Sequence, residues 1–386
     1  MLEASVSLRR EQLGVDVMQA REQAASPLLP SNPQLAFSAA QRHTAQQNAG
    51  NWNANLSQEL EIAGQRSARR SAAQASLNAQ RQTLRASERE VAAEAWHAYF
   101  EALAARDAQL TAAKLEQAFA GGGRAAAAGA AQGLVSGIDA ELAELTLLRL
   151  TQARIAAQAR ERQAVALLAA LLGLDPRSSQ LQVEGELTPL APGLTDTPEA
   201  LDAAIERRPE LSRARETVRA HSADATALRR SRIPNVTLSI FAQQDGFSER
   251  VLGGGIALPI PLPTPLGRTF AGEIAASEAL AQQAEAAATG VRRQARLELV
   301  TALQSYDAAR AQNALYTASR VTEAENSLTS LAQEIHAGRI AVSSALVAQQ
   351  TLIEFLRARI DAQLELCLAS VEVVRAAGLD LNGARP

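Results

Sequence analysis

Short stretches of alternating apolar and polar residues predict two pairs of β-strands. In about residues 51–62, one face holds Leu56, Leu60 and Ile62, and the other holds Asn53, Asn55, Ser57, Glu59 and Glu61. In about residues 251–263, one face holds Ile256, Leu258, Ile260 and Leu262, and the other holds Ala257, Pro259 and Pro261. A period of two is typical of a strand with one apolar and one polar or small face.

The first strand of each pair is predicted over about residues 33–43 and 233–245. Turn-forming residues near Gln47–Asn51 and Asp245–Arg250 are expected to connect each pair as a hairpin. Because proline has no amide hydrogen, Pro259, Pro261 and Pro263 predict weak or irregular pairing at the end of the fourth strand.

Between and after these strands, a seven-residue apolar period predicts long helices over about residues 64–132, 137–172, 267–336 and 343–377. The stripes are Leu77, Leu84, Val91, Ala98, Ala105, Ala112 and Phe119; Ala143, Leu150, Ala157, Ala164 and Leu171; and Leu346, Ile353, Ile360, Cys367 and Val374. The first and last helices each carry a second stripe, formed by Trp96, Leu103 and Leu110 and by Ala348, Phe355, Ala362 and Ala369. Strict heptads predict left-handed supercoiling, and two stripes predict a neighbour on each side, as in a ring of helices.

The first long helix, from about Ser67 to Ala131, would be about 100 Å long at 1.5 Å per residue, which predicts an elongated protein.

The same order of elements occurs twice, which predicts a duplicated unit. The segments Asn32–Ser38, Leu56–Ile62 and Ala95–Tyr99 resemble Ile233–Ser239, Ile256–Leu262 and Ala302–Tyr306, and Ser136 corresponds to Ser343. We therefore predict a first repeat over residues 1–173, a linker over 174–197 and a second repeat over 198–386. The linker follows a glycine stop at Gly173, and the second repeat opens with a helix capped by Thr197.

Each repeat has a break between its long helices that contains glycine and serine. In the first break, Gly133 precedes Ser136, which is predicted to be a helix N-cap with Asp139 at the third helical position. In the second break, Gly338 precedes Ser343, which is expected to open the final helix without an acidic partner. We call these two predicted breaks the helix tips.

Composition excludes several classes of protein. The formal net charge of −3 argues against a nucleic-acid partner, and the single cysteine excludes a disulfide framework. No apolar run is long enough for a spanning helix. No metal, cofactor or catalytic constellation is present, so an enzyme is not expected. Abundant alanine and only 3% aromatic residues favour closely packed helices.

The duplicated order of helix, hairpin, long helix, Gly/Ser tip and long helix resembles the TolC-like outer-membrane efflux factors. The segment Leu56–Arg70, which contains Gly64, Arg66 and Arg69, is similar to the strand-to-helix junction of the heavy-metal, CzcC-like branch. The resemblance implies a mainly α protein with a small membrane β-barrel contribution. Four strands per protomer would contribute to a trimeric 12-stranded barrel, and the helices would contribute to an α-helical tube.

The resemblance also implies a passive conduit for efflux, located in the outer membrane with a periplasmic extension. The partners would be two further copies in a homotrimer, outer-membrane lipid, a periplasmic adaptor (membrane fusion) protein and an inner-membrane RND pump. The tip residues Gly133, Ser136, Asp139, Gly338 and Ser343 would form the gate and the adaptor-docking surface. A ring of Asp139 carboxylates could favour cations, or Asp139 could serve only the helix cap.

The first repeat starts later in its opening helix than the second, and residues 1–10 do not have the pattern of a signal peptide. We therefore expect an internal or truncated start. Three alternatives stay open: a soluble coiled-coil scaffold, a periplasmic adaptor and a truncated, non-exported relic of a channel.

Several residues have plainer interpretations. Cys367 is expected to be a buried small apolar residue, and His97 a residue of a helix surface or interface. The run Gly121–Gly123 is expected to weaken its helix, and Gly253–Gly255 to allow close strand packing. Arg66, Arg69 and Arg70 are expected on a solvated face or near lipid headgroups.

Overall fold

The structure is a computed structural model. It describes residues 6–43, 48–132, 136–177, 181–190, 197–245, 249–262, 267, 269–337, 339–340 and 342–381. Within helices, the side chains of residues 122–127, 129, 336, 342–344 and 346 lie outside this description.

The described residues form a mainly helical chain with four strands, in an order that occurs twice. The first half contains α1 (Val6–Ala25), β1 (Gln34–His43), β2 (Asn48–Leu60), α2 (Gln65–Ala131) and α3 (Gly137–Leu171). The second half contains α4 (Pro198–Arg207), α5 (Pro209–Arg230), β3 (Val236–Gln244), β4 (Arg250–Ala257), α6 (Ala271–Asn313), α7 (Ala318–His336) and α8 (Val342–Ala376). The predicted fold class is thereby confirmed for a single chain.

The four strands form one antiparallel sheet in the order β1-β2-β3-β4. Residues Leu35, Leu56 and Ile240 lie directly opposite one another across the first three strands. β4 ends at Ala257, earlier than predicted, because Pro259 and Pro261 cannot donate to a ladder. The first hairpin turn, predicted near Gln47–Asn51, is wrong over residues 48–51, because these residues open β2 and pair with residues 40–43 of β1. The second predicted turn, near Asp245–Arg250, includes residues 246–248, which lie outside the described residues.

Two predicted helices are interrupted. The helix expected to continue from Thr197 is broken at Arg208, whose backbone is extended because Pro209 follows it. The helix expected over 267–336 divides into α6 and α7, and Thr317 caps α7 by accepting a hydrogen bond from the Arg320 amide. Conversely, α2 continues through Gly121–Gly123, so the backbone does not break where weakening was expected.

Both halves of the chain end their last long helix in the same way. Gly173 and Gly378 follow α3 and α8 with positive φ angles of 73° and 70°. The amide of the next leucine donates to a carbonyl five residues earlier, Leu174 to Ala169 and Leu379 to Val374. This is the Schellman arrangement, which satisfies the free carbonyls of a helix end. The predicted glycine stop at Gly173 is therefore present.

The chain divides into two compact units, each built from separate stretches of sequence. Unit 1 contains Met1–Arg9, Ala86–Arg208 and Arg293–Pro386, and unit 2 contains Arg10–Arg85 and Pro209–Arg292. Unit 2 includes the whole sheet, whereas unit 1 includes α3, α4, α7 and α8. Each unit therefore takes residues from both predicted repeats.

Unit 1 has two main apolar clusters. One surrounds the fully buried Phe100 and Leu103 of α2 and includes Val371 of α8 and Leu190. The other joins α2, α3, α7 and α8 through residues that include Phe119, Leu150, Leu328 and Leu356. Among the described residues, no helix is both long enough and apolar enough to cross a membrane.

Candidate functional site

One face of the sheet is apolar and uncovered. Leu35, Phe37, Ile240, Leu252 and Ile256 all share this face, and the exposed fraction of Leu252 reaches 83%. In water, such a contiguous apolar surface is unfavourable, so it indicates contact with a protein or a membrane.

The opposite face of the sheet is polar. It carries Asn53, Asn55 and Ser57 on β2, with Ser239 and Gln243 on β3. The side chain of Asn53 donates to the Gln243 oxygen at 3.4 Å, which joins the two central strands on this face. The alternation predicted for residues 51–62 therefore continues across the neighbouring strands.

The sheet has two open edges. Within the described part of the chain, β1 and β4 each pair with only one strand. An open edge presents unpaired N–H and C=O groups, which in a membrane must be satisfied by another strand.

The junction between the sheet and α2 is held by polar contacts. Gln65, which is 5% exposed, accepts from the Ala63 amide at 2.8 Å and donates to the Ile233 carbonyl at 3.0 Å. Gly64 has a φ of +72°, and Arg230 donates to its carbonyl at 2.8 Å. The ends of both hairpins are therefore joined at one place, which was not predicted from the segment Leu56–Arg70.

The three arginines of this junction make polar contacts, while the side chains of Arg69 and Arg70 stay 39% and 56% exposed. Arg66 donates to the Ser26 carbonyl at 2.9 Å. Arg69 pairs with Glu61 at 2.6 Å, and Arg70 pairs with Glu22 at 3.0 Å. The expected solvent exposure is therefore present, and the three side chains also tie α2 to the end of β2 and to the end of α1.

The predicted tip residues are only partly described. Ser136 caps α3 by accepting from the Ile138 amide at 3.3 Å, and Asp139 lies half-buried in the first turn. Gly133 and Gly338 lie outside the described residues. Ser343 is one residue inside α8, which begins at Val342, and its side chain is not described.

The helices that flank the two tips meet in one apolar cluster. Ala143 of α3, Ile335 of α7 and Ala345 of α8 belong to it. Ile138 stays 71% exposed beside the cap, and Arg339 pairs with Glu334 at 3.0 Å near the second tip. The sequence indicates each tip on its own pair of helices, whereas the common packing of the flanking helices is a tertiary feature.

A charge cluster in unit 1 was not predicted from the sequence. The ring nitrogen Nε2 of His97 lies 3.1 Å from Glu372, which also accepts from Arg375 at 2.8 Å. His97 and Arg375 beside this carboxylate lower the pKa of Glu372 to about 2. Glu90 lies 3.4 Å from Arg375. One sequence pattern could have indicated this cluster: Glu90 and His97 are seven residues apart and lie beside an apolar stripe of α2.

The remaining plain predictions can be compared with the structure. Cys367 is fully buried, and burial raises the pKa of its thiol to about 12. His97 lies between α2 and α8, as expected of an interface residue. Gly253 and Gly255 lie against Phe241 and Ser239 of β3, as expected for close strand packing. Among the described residues, no group of three or more His, Cys, Asp or Glu could hold a metal ion.

Comparison with known proteins gives consistent results. A family model described as outer membrane efflux protein matches residues 2–174 and 200–379. Protein CyaE of Bordetella pertussis is 29% identical over 266 residues, which are 66% of this chain and 56% of CyaE. The match therefore spans little more than half the length of that relative.

Two solved structures have the same fold. The outer membrane protein VceC of Vibrio cholerae shares 22% identity and a TM-score of 0.77, covering 98% of this chain and 94% of VceC. The open-state MtrE outer membrane channel of Neisseria gonorrhoeae shares 18% identity and a TM-score of 0.77, covering 98% of this chain and 87% of MtrE. At these identities the likeness concerns the fold alone.

Proposed function

This chain belongs to the outer membrane efflux protein family, and we propose that it is the outer-membrane channel component of a tripartite efflux system. In this proposal three copies form a passive conduit that exports substrates from the periplasm to the exterior. The family is one of efflux proteins rather than of enzymes, in agreement with the absence of a catalytic constellation in the sequence.

The observation that carries the proposal is the two-faced sheet with open edges. Its apolar face exposes large side chains such as Ile240 and Leu252, whereas its polar face presents asparagine and serine. A membrane barrel needs apolar residues towards lipid and polar residues towards the lumen. Four strands cannot close a barrel, but three copies would supply twelve and leave no open edge.

The energy for export would come from outside this protein. An inner-membrane RND pump would supply it, and a periplasmic adaptor protein would link the pump to the helix tips. Exposed Ile138 beside the Ser136 cap offers an apolar contact for such an adaptor. Gly133, Gly338 and Ser343 belong to the same proposed gate and docking surface through their positions in the sequence.

For the substrate we propose heavy-metal cations. The support is the similarity of Leu56–Arg70 to the heavy-metal branch and the Asp139 carboxylate in the first turn of α3. Three copies of Asp139 would form a ring of negative charge, which favours cations if the ring borders the passage.

The test is planar-bilayer conductance of the full chain with Asp139→Asn. We expect the variant to lose cation preference, measured as a shift of reversal potential in a salt gradient. Glu144→Gln, which removes an exposed charge further along α3, is the control and should keep the preference. Unchanged selectivity in Asp139→Asn would restrict Asp139 to the helix cap, and a wild-type chain that remains soluble and monomeric with lipid would contradict the channel itself.

A further inference from the structure

Phe241 interrupts the polar face of the sheet. Among the strand residues that the structure describes, it is the one aromatic side chain on this face, because Phe37 and Trp52 share the apolar face. Its direct neighbours across the sheet are Asn55 on β2 and Gly253 on β4. A large apolar ring on a polar face needs a neighbouring surface to pack against.

Gly253 provides that place. A Cβ atom added to Gly253 would lie 2.4 Å from Cζ and 2.8 Å from Cε1 of Phe241. The end of the ring therefore rests directly on the main chain of β4. An aromatic side chain across from a glycine covers the exposed backbone in this way.

The neighbouring glycine does not have this role. Gly254 lies on the apolar face, and an added Cβ would meet nothing closer than the Ser239 carbonyl oxygen, at 3.5 Å. The two adjacent glycines therefore differ in their relation to Phe241. A side chain at position 253 would collide with the ring, whereas one at position 254 would not.

We infer that Gly253 sets the width of the passage at the level of the sheet, by letting the ring of Phe241 lie against the barrel wall. The inference rests on the proposed function, because the polar face borders a passage only in a closed barrel. Phe241 has few staggered positions available, and Asn55 occupies the opposite side. A ring displaced from Gly253 must therefore turn away from the sheet and into the lumen.

Three copies would turn three rings inward at the same level. An apolar constriction of this kind reduces conduction both by its size and by excluding water. Gly253 is then a positioning residue that acts through Phe241.

The main test is single-channel conductance of the full chain in planar bilayers. Gly253→Val is expected to lower conductance roughly twofold or more. Gly254→Val is the matched control and should keep wild-type conductance. The double variant Phe241→Ala/Gly253→Val should restore conductance at least to the wild-type value, since it removes the displaced ring.

A second measurement does not depend on the folding of Gly253→Val. A charged, water-soluble thiol reagent should modify Phe241→Cys and lower its channel current. The current of Ile240→Cys, whose cysteine lies on the apolar face, should stay the same after the reagent is added. Native Cys367 does not compete, because burial raises the pKa of its thiol to about 12.

The outcomes separate this inference from the proposed function. If the wild type forms channels, two results would overturn the role of Gly253 and Phe241. One is a Gly253→Val conductance equal to that of the wild type, and the other is a Phe241→Cys current that does not respond to the reagent. A wild-type chain that forms no channels would overturn the proposed function instead.

Discussion

Phe100 and Phe37 show how differently two regions of this chain treat apolar surface. Phe100 of α2 is 0% exposed and packs among residues of α8 and the 181–190 segment, while Phe37 of β1 is 69% exposed. Both lie in regular segments with clear apolar periodicity. The helical region of unit 1 completes a core within one chain, whereas the sheet of unit 2 leaves its apolar face without a partner.

Buried polar atoms without a hydrogen bond occur in both regions, so hydrogen bonding does not separate the two. In unit 1, Arg208 is 5% exposed and pairs with Glu298, and the Ser370 hydroxyl accepts from the Leu190 amide. In the sheet, Asn51 and Asn55 each have a shielded side-chain oxygen without a hydrogen bond. The contrast between the two regions therefore lies in their apolar surface, because the sheet leaves one apolar face exposed.

The largest expected effect comes from matched phenylalanine variants. Phe100→Ala should lower the free energy of unfolding by about 3–5 kcal/mol, because it leaves a cavity in a packed core. Phe37→Ala should change it by no more than about 0.5 kcal/mol, since an exposed side chain leaves no cavity. Denaturant unfolding in detergent, followed by helical circular dichroism, measures both. Equal losses of unfolding free energy in the two variants would contradict the difference in packing between the two regions.

The second comparison uses adjacent residues on opposite faces of β3. Ile240→Arg should lower the stability of the membrane-inserted protein by about 2–4 kcal/mol if the apolar face meets lipid near the bilayer midplane. Ser239→Arg places the same charge on the polar face and should be much less costly. Refolding into liposomes across a urea series measures both variants. Equal tolerance of arginine at both positions would contradict a lipid-facing apolar side.

The smallest expected effect concerns the charge cluster of unit 1. The pKa of Glu372 is lowered to about 2 by His97 and Arg375, so the ionised carboxylate stabilises the fold above its ordinary pKa near 4.5. This contribution is lost as the pH falls from about 4.5 to 2. Because the side chain is partly exposed, Glu372→Gln should cost on the order of 1–2 kcal/mol at neutral pH.

The measurement for Glu372 is unfolding by denaturant at several pH values. The difference between wild type and Glu372→Gln should be largest near neutral pH and disappear near pH 2. Glu365→Gln removes an exposed carboxylate one heptad earlier in α8 and should show no such dependence. A pH-independent loss in Glu372→Gln would point to packing rather than charge.

Local sequence signals predicted the elements well but not their interruptions. Alternation and heptads indicated the strands and long helices because they depend only on how often a residue returns to the same face. The break between α6 and α7 was missed, although Thr317 has the residue type of an N-cap. A further signal was overlooked, because Gly-Leu-Asp occurs at both 173–175 and 378–380, where both Schellman ends lie.

For the candidate site, prediction succeeded where the chemistry is local. Ser136 caps its helix because a cap needs only an amide two or three residues away. The pairing of Arg69 with Glu61 was missed, since it depends on how the chain turns at Gly64. The common packing of the helices beside the tips and the contact of His97 with Glu372 join residues distant in sequence.

The sequence by itself determined the kinds of elements, their order, the two faces of each strand and the apolar stripes of each helix. The tertiary structure alone decided the register that sets Phe241 against Gly253, and the pairing of helices that sets Glu372 beside His97. The reason is physical. Periodicity follows from backbone geometry repeated every few residues, whereas register and helix pairing depend on which distant side chains fit together.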